Sequence, residues 1–389
     1  MKKVRVGMIG CGFAAELHMN GYKRVTGIDV DVKSVASRTM ANASAFAQRH
    51  GIVCVYEDYR ELLSDPDIDV IDIVTPEYTH ISLATEALGA DKHIICEKPL
   101  TGFFKTSHKN ELIGKIVPKS TMFQEVMREL DHFKSLVEKT SKLFMYAENW
   151  VYAPSILKSA ELLRAKKSKI IYMKGEATHN GSAAQHAPYW RCAGGGALIR
   201  NGCHPLSAIL HLKRASAGDG AVSVQSVMAD TGNVEKTLTE DQHRYILARA
   251  SDVEDIATVV LTFSDQTKAT IFVADTLIGG SQNHVEVFTN DSVHKCRMTM
   301  NDSMIAYNAN EKGIEDIYFS EKQGSKQGWN YLSIEEPVTR GYVGEMQDFM
   351  ESVAERREPL SGFPLAYDTT KLIYAAFVSA EENRRIELA

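Results

Sequence analysis

The sequence predicts a doubly wound, parallel α/β domain followed by an α+β domain with a large open, mostly antiparallel sheet. Three observations predict it. A glycine-rich turn, Gly10-Cys11-Gly12-Phe13-Ala14-Ala15, stands directly after the first apolar strand. Up to about residue 150, short apolar strands alternate with helical patterns, which implies parallel strands joined by helical crossovers. From Lys169 onward, strands follow one another with little helix between several of them, the texture of an antiparallel or mixed sheet with one face solvated or used for assembly. The expected domains are residues 1–150, dinucleotide-binding and carrying an insertion at about 101–121, and residues 151–389, binding substrate and forming oligomers.

Composition narrows the function classes. The chain has 389 residues, 44% hydrophobic and 24% charged, as in ordinary globular proteins, so fibrous and disordered classes drop out. A net charge of -6, a pI near 6.1 and dispersed basic residues argue against a nucleic-acid surface. No stretch approaches the roughly 20 apolar residues of a membrane span. Met1-Lys2-Lys3-Val4 leads straight into a strand rather than a cleavable signal, so a cytoplasmic location is expected. Cys11, Cys54, Cys96, Cys192, Cys203 and Cys296 are scattered, and neither a metal site nor a disulfide framework is expected.

In chain order, Val4 to Ile9 forms the first strand and runs into G-x-G-x-x-A and a helix. Gly10 would make the tight turn, Gly12 would let the backbone approach a pyrophosphate, and Ala15 would let helix and strand pack closely. Gly10, Cys11, Gly12, Phe13 and Ala14 are therefore the expected phosphate contacts. The second strand, Val32 to Ala36, ends at Ser37-Arg38-Thr39, where an NAD-binding unit presents an acid to the adenosine ribose. A hydroxyl and a guanidinium suit a 2′-phosphate instead, so NADP is favoured over NAD. A helix from Ala41 to His50, a strand at Val53 to Val55 and the Asp65-Pro66-Asp67 turn lead to the strand Val70 to Val74. Thr75 and Pro76 then open the helix that Gly89 closes, on the same sheet edge. Proline fixes that turn; Thr75 and His80 are placed to touch the cofactor, although for His80 packing at the helix N-terminus is an equal alternative.

The next strand, His93 to Cys96, ends in Glu97-Lys98-Pro99 and puts two charged side chains on the ligand edge of the sheet. Lys98 is the expected catalytic centre, and Glu97 is expected to hold the cofactor edge. Residues 101–121 show no clear period, which suits a lid, an oligomer contact or a solvated insertion. A helix follows from Met122 to Lys139. The strand Leu143 to Ala147 delivers Glu148-Asn149-Trp150 to the same edge, and Pro154 starts a further helix. In the second domain, Tyr189-Trp190-Arg191 precedes Gly194-Gly195-Gly196 and a helical segment carrying Arg200 and His204, which lie four apart on one helical face. With Lys98 they would form a cationic, proton-handling pocket, rimmed by Asn149, Trp190 and Arg191. Tyr342 to Glu355 and Tyr367 to Arg385 close the chain as amphipathic helices.

Four motifs in this order, G-x-G-x-x-A, T-P-x-x-x-H at Thr75 to His80, Glu97-Lys98-Pro99, and G-G-G-A-L-x-x-x-G-x-H at Gly194 to His204, give a chain that resembles the Gfo/Idh/MocA family of NAD(P)-dependent oxidoreductases over nearly its whole length. The resemblance implies a Rossmann domain, a substrate domain whose open sheet makes homodimer or homotetramer contacts, Lys98 and His204 beside the nicotinamide, and a cis bond between Lys98 and Pro99. It further implies hydride transfer between the cofactor and a secondary hydroxyl or ketone of a sugar, glycoside or cyclic polyol. Lys98 would move the hydroxyl proton with help from His204, provided that burial and cations such as Arg200 lower the lysine pKa. Two alternatives stand beside it: a glycoside-cleaving enzyme that uses tightly held NAD transiently, and a non-catalytic nucleotide sensor or scaffold. Two departures stand out. Arg200 occupies the place of the family's usual acid four residues before the histidine, and Glu77 that of an asparagine. The acid that would orient His204 is thus missing, and Arg200 is expected either to bind a substrate carboxylate or dense hydroxyl array, or to turn away and pair with a helix acid.

Overall fold

The computed structural model describes residues 1–108, 111–217, 222–299, 304–319, 325–332 and 335–388. Strands β1 (Lys2–Ile9), β2 (Ile28–Ala36), β3 (Cys54–Tyr56), β4 (Val70–Ile73), β5 (His93–Glu97) and β6 (Phe144–Ala147) form one parallel sheet in the order β3-β2-β1-β4-β5-β6. The order reverses between β1 and β4, and the crevice beyond the strand ends at that point is where such sheets bind ligands. The apolar run Val70-Ile71-Asp72-Ile73 is buried on both faces, including its one acid. β2 starts at Ile28, four residues before the expected Val32. Its first half alternates apolar residues with Asp29 and Asp31 on a solvated side, and Asp31 pairs with Lys3 of β1 at 3.0 Å.

A second sheet is built from β7 (Ile170–Thr178), β8 (Val224–Gly232), β9 (Ile256–Phe263), β10 (Lys268–Ala274), β11 (Gln282–Thr289) and β12 (Val293–Arg297). The hairpin β13 (Ile305–Asn308) and β14 (Gly328–Tyr331) stands apart, and β15 (Ile386–Glu387) joins the second sheet's edge, giving the order β12-β11-β7-β10-β9-β8-β15. β7 and β10 are parallel and the other neighbours antiparallel. One face is covered by the helix Cys203–Ala217, so closely that a Cβ on Gly175 of β7 would lie 2.7 Å from Pro205. This contact sets the height of His204 above the sheet.

The segment after Leu100 is neither a lid nor a purely solvated insertion at its start. Thr101, Gly102 and Phe103 are buried, and the Phe103 amide donates to the Tyr374 hydroxyl (2.6 Å), which itself donates to the Gly194 carbonyl (2.7 Å). Residues 104–108 turn outward, residues 109 and 110 lie outside the described set, and a helix already begins at Lys119 and runs to Val137. The late helix Tyr342–Glu355 packs on the first helix of the chain, Phe13–Tyr22, where a Cβ on Gly21 would sit 2.5 Å from Met346. The final helix, Phe363–Glu382, lies between the long helix Lys119–Val137 and β8. Among the described residues no helix is long and apolar enough to cross a membrane.

The triple-glycine turn has a steric reason at its last member. Gly196 has an ordinary negative φ, but a Cβ there would lie 1.7 Å from the Glu254 carbonyl oxygen. The Glu254 carboxylate accepts the Gly196 and Leu198 amides at 2.9 Å each. Gly196→Ala must push these apart. It is expected to lower stability by about 3 kcal/mol, the upper end for overpacking, read as a shifted denaturant midpoint.

Candidate active site

A cavity of about 1150 Å³ opens at the C-terminal edge of the parallel sheet and runs between the two sheets. At one end stands the glycine loop. Gly10 adopts φ +109°, and a Cβ there would meet the Val74 carbonyl at 2.4 Å, so only glycine fits the turn. A Cβ on Gly12 would meet nothing within 4 Å. The protein itself leaves that space free, beside the N-terminus of the Phe13–Tyr22 helix, as a dinucleotide phosphate would require. Cys11, Phe13 and Ala14 line the cavity with them, as do Ser37 and Arg38 past β2 and Thr75 and Pro76 past β4. The residues present therefore fit a dinucleotide.

His80 is not among the cavity residues. Its ring is buried with Nδ1 2.7 Å from the Pro99 carbonyl and Nε2 2.9 Å from the Thr75 carbonyl. It pins two cavity-wall turns from behind, which corrects the expectation of a cofactor contact.

Lys98 lies at the floor, and its bond to Pro99 is cis. Its Nζ donates to the Arg200 carbonyl at 2.9 Å, bridging the exit of β5 and the end of the short helix Ala197–Arg200. Burial lowers the lysine, but Cys203 and the carboxylates of Glu97, Glu148 and Glu77 raise it, and the balance lies above the usual value. Burial keeps Cys203 itself far above the usual thiol range, so the counter-charge rests on the carboxylates. The expected lowering by neighbouring cations is therefore corrected: Arg200 presents a carbonyl to Lys98 while its guanidinium is neutralised elsewhere.

That neutralising group is Asp275, just past β10. Its Oδ2 is 3.1 Å from Arg200 Nη1, and its Oδ1 accepts from Asn201 Nδ2 at 2.7 Å and lies 3.5 Å from His179 Nε2. Arg200 does line the cavity, yet it pairs with this strand-end acid, not with a helix acid. The carboxylate that it was expected to take from substrate is already supplied by the protein.

His204, on the helix Cys203–Ala217, also lines the cavity. Its Nδ1 is 2.6 Å from Glu148 Oε1, and its ring stacks on Trp150 with centroids 5.4 Å apart and planes 11° from parallel. Burial holds the imidazole below its usual pKa although Glu148 pulls the other way. The orienting acid is thus present after all, supplied by the residue after β6 instead of by position 200. Glu148, Cys203 and His204 also offer ligand atoms within 4.8 Å of one another. Two ligands on one zinc ion stand about 3.3 Å apart, whereas Glu148 and His204 meet at hydrogen-bond distance.

Three expected rim residues lie elsewhere. Asn149 is buried and donates to the Arg340 carbonyl at 2.8 Å. Trp190 is a core side chain against Phe377, with Lys119 over its ring at 4.6 Å. Arg191 stacks over Tyr189 at 4.2 Å. The substrate-side wall instead carries His179, Ser182, His186, Asn201, Ser281, Asn283 and Arg340. Of the polar groups in and behind the floor, His18, Asp72, Glu148 and Asp275 were missed as site residues. The one local signal was an acid inside the otherwise apolar β4.

Comparison with known proteins agrees with this layout. The family model described as an oxidoreductase family with an NAD-binding Rossmann fold matches residues 4–113, and the Gfo/Idh/MocA C-terminal domain matches residues 166–292, together more than half of the chain. An uncharacterized oxidoreductase, YrbE, of Bacillus subtilis is 32% identical over 137 residues, 35% of this chain and 39% of that protein. Levoglucosan dehydrogenase of Pseudarthrobacter phenanthrenivorans is 37% identical over 107 residues, 26% of this chain and 27% of that protein. The chain thus spans well under two thirds of the length of these relatives. Among solved structures, GenD2 from gentamicin A biosynthesis in complex with NAD covers 100% of this chain, which covers 97% of it, at a TM-score of 0.78 and 22% identity. A levoglucosan dehydrogenase complex with NADH and levoglucosan covers 100% in both directions, at 0.74 and 20%. At such identities the likeness is one of fold. The fold, the two family domains and their order make the chain a member of the Gfo/Idh/MocA oxidoreductase family.

Proposed function

We propose that the protein is a nicotinamide-dependent oxidoreductase acting on a secondary hydroxyl, or the corresponding ketone, of a neutral sugar, glycoside or cyclic polyol. The observation that carries this reading is the convergence of Lys98 and His204, the latter held from behind by Glu148, on one cavity whose other end is the open glycine loop. The relatives named for levoglucosan and inositol dehydrogenases support the substrate class. A neutral substrate is favoured because the two arginines of the substrate-side wall are already paired, Arg200 with Asp275 and Arg340 with Glu336, beside amides, hydroxyls and imidazoles suited to hydroxyl groups.

The bound nicotinamide would supply the hydride acceptor or donor. Gly10, Cys11, Gly12, Phe13, Ala14, Thr75 and Pro76 would hold the dinucleotide, with Glu97 at the edge of its site. Lys98 Nζ, fixed by the Arg200 carbonyl, takes the hydroxyl proton during oxidation or gives it to the ketone oxygen during reduction. His204 hydrogen-bonds the same oxygen, with Glu148 setting its orientation.

For the adenosine end we propose NADP in preference to NAD, because Ser37 and Arg38 line the cavity where the ribose would lie and Arg38 is exposed without an ion pair among the described residues. Arg38→Ala is expected to raise KM for NADP about 10- to 100-fold, the worth of a lost charge-assisted hydrogen bond, with KM for NAD little changed. Equal effects on both would remove the 2′-phosphate role. Assembly through the exposed face of the second sheet, carrying Ile171 and Met228, is proposed on the same footing. The test of function is mass spectrometry of any dinucleotide released on denaturation, followed by a panel of neutral sugars, polyols, glycosides and uronates scored for both reduced cofactor and product. Ketone formed with stoichiometric reduced cofactor supports the reading; bond cleavage with none accumulating, or turnover confined to uronates, contradicts it.

A further inference from the structure

Behind the cavity floor lies a line of charges that takes no direct part in that reaction. His18, on the Phe13–Tyr22 helix, is fully buried and lies outside the cavity. Its Nδ1 is 3.0 and 2.9 Å from the two carboxylate oxygens of Asp72, of which Oδ2 also accepts the Tyr22 hydroxyl at 2.8 Å. Its Nε2 makes an ion-pair contact of 3.3 Å with Glu97 Oε1, and Glu97 Oε2 accepts the amide of Lys98 at 2.9 Å. The chain Tyr22, Asp72, His18, Glu97 therefore ends on the backbone of the catalytic lysine.

An alternation of minus, plus and minus in a desolvated interior is costly to assemble, and removing one member leaves an uncompensated charge. An apolar helix–sheet contact would hold the fold as well. We infer that His18 is a positioning residue for Lys98: lodged between Asp72 and Glu97, its imidazolium fixes the Glu97 carboxylate on the Lys98 amide and so sets where Nζ meets the substrate oxygen. The role rests on the proton-handling function proposed for Lys98.

The electrostatics agree. Burial would lower His18, but Asp72 and Glu97 hold it well above the usual value. Burial would raise Glu97, but His18, Lys98 and His80 hold it below. The remaining titratable neighbour is Glu345 on the packed helix Tyr342–Glu355; burial raises its carboxyl far above the usual range, and its oxygens have no hydrogen-bond partner among the described residues. Burial thus favours its neutral form, and His18 is the cation available to Glu97 from behind.

The test compares His18→Gln, which can still donate toward Glu97, with His18→Asn, which reaches only Asp72, and adds Asp72→Asn, which preserves shape. For His18→Asn, kcat is expected to fall on the order of 100-fold, as for a misplaced catalytic group, with KM for the dinucleotide within twofold or so. His18→Gln is expected to recover about a tenfold part of that loss. In Asp72→Asn the imidazolium loses its anion, so its proton leaves at lower pH, and kcat for ketone reduction gains a decline with rising pH in the range where the parent is level. A merely structural role would lower thermal stability equally in both His18 variants without changing the pH profile. Lys98→Met is assayed alongside. If it is inactive while the His18 and Asp72 variants keep parental kcat and profile, the positioning role is wrong and the lysine reading stands. If it retains activity, the lysine reading fails and the positioning role with it.

Discussion

Lys98→Met is expected to lower kcat by about 10³-fold, within the range for a lost general acid or base, while dinucleotide binding changes little. Methionine fills the same stem volume and removes the one nitrogen that reaches across to the Arg200 carbonyl. The parent protein offers a second reading of the same group. Its ammonium is stabilised relative to free lysine by Glu97, Glu148 and Glu77, so the cation dominates throughout the neutral range and the free amine is scarce. Ketone reduction starts from the cation and is expected to be level with pH through neutrality, declining only in strong alkali. Alcohol oxidation starts from the free amine, and its kcat should climb by about tenfold per pH unit upward from pH 7 or so. Profiles of both directions between about pH 6 and 10 check this. An oxidative rate already on a plateau at neutral pH would show a lysine that titrates low and would overturn the charge assignment.

Glu148→Gln is the second large loss, about 10²-fold in kcat. The carboxylate sits 2.6 Å from His204 Nδ1 and is the counter-charge against which the buried imidazole, already below its usual range, can accept a proton at all. An amide keeps the hydrogen bond and loses the charge. Because the two residues act as one unit, adding His204→Asn to Glu148→Gln should cost little beyond the worse single variant. Multiplicative losses in the double variant would show that they act independently.

What could be seen beforehand follows from the range of each interaction. The strand-and-helix alternation, the glycine turns and the charged strand end at Glu97-Lys98 are local patterns, and the structure places Lys98, His204 and the glycine loop around one cavity. The partners of those groups are not local. Glu148 meets His204 from 56 positions away, and Asp275 meets Arg200 from 75 away. Periodicity shows which face a residue occupies, not which distant residue stands opposite. Asn149, Trp190 and Arg191 differ from expectation for one reason: adjacency to a motif in sequence does not bring a side chain into the cavity. Past the end of β6 the chain turns into a short 3-10 helix, Asn149–Tyr152, and it is Glu148 that meets His204 while Asn149 turns to the Arg340 carbonyl. Asp72 was visible as an acid inside the buried strand β4, the kind of residue that must have a buried partner.

Tyr374 ties the exit of the lysine strand, through the Phe103 amide, to the triple-glycine turn, through the Gly194 carbonyl. It reaches Phe103 from 271 positions away and Gly194 from 180 away. During synthesis the parallel sheet can condense as soon as β6 has left the ribosome, since domains generally fold as units in order of emergence. The clasp between the two halves cannot close until the helix Phe363–Glu382 has emerged, long after both turns that it joins have been synthesised. A ribosome stalled before that helix would display the strand exit and the glycine turn without the hydroxyl that ties them together.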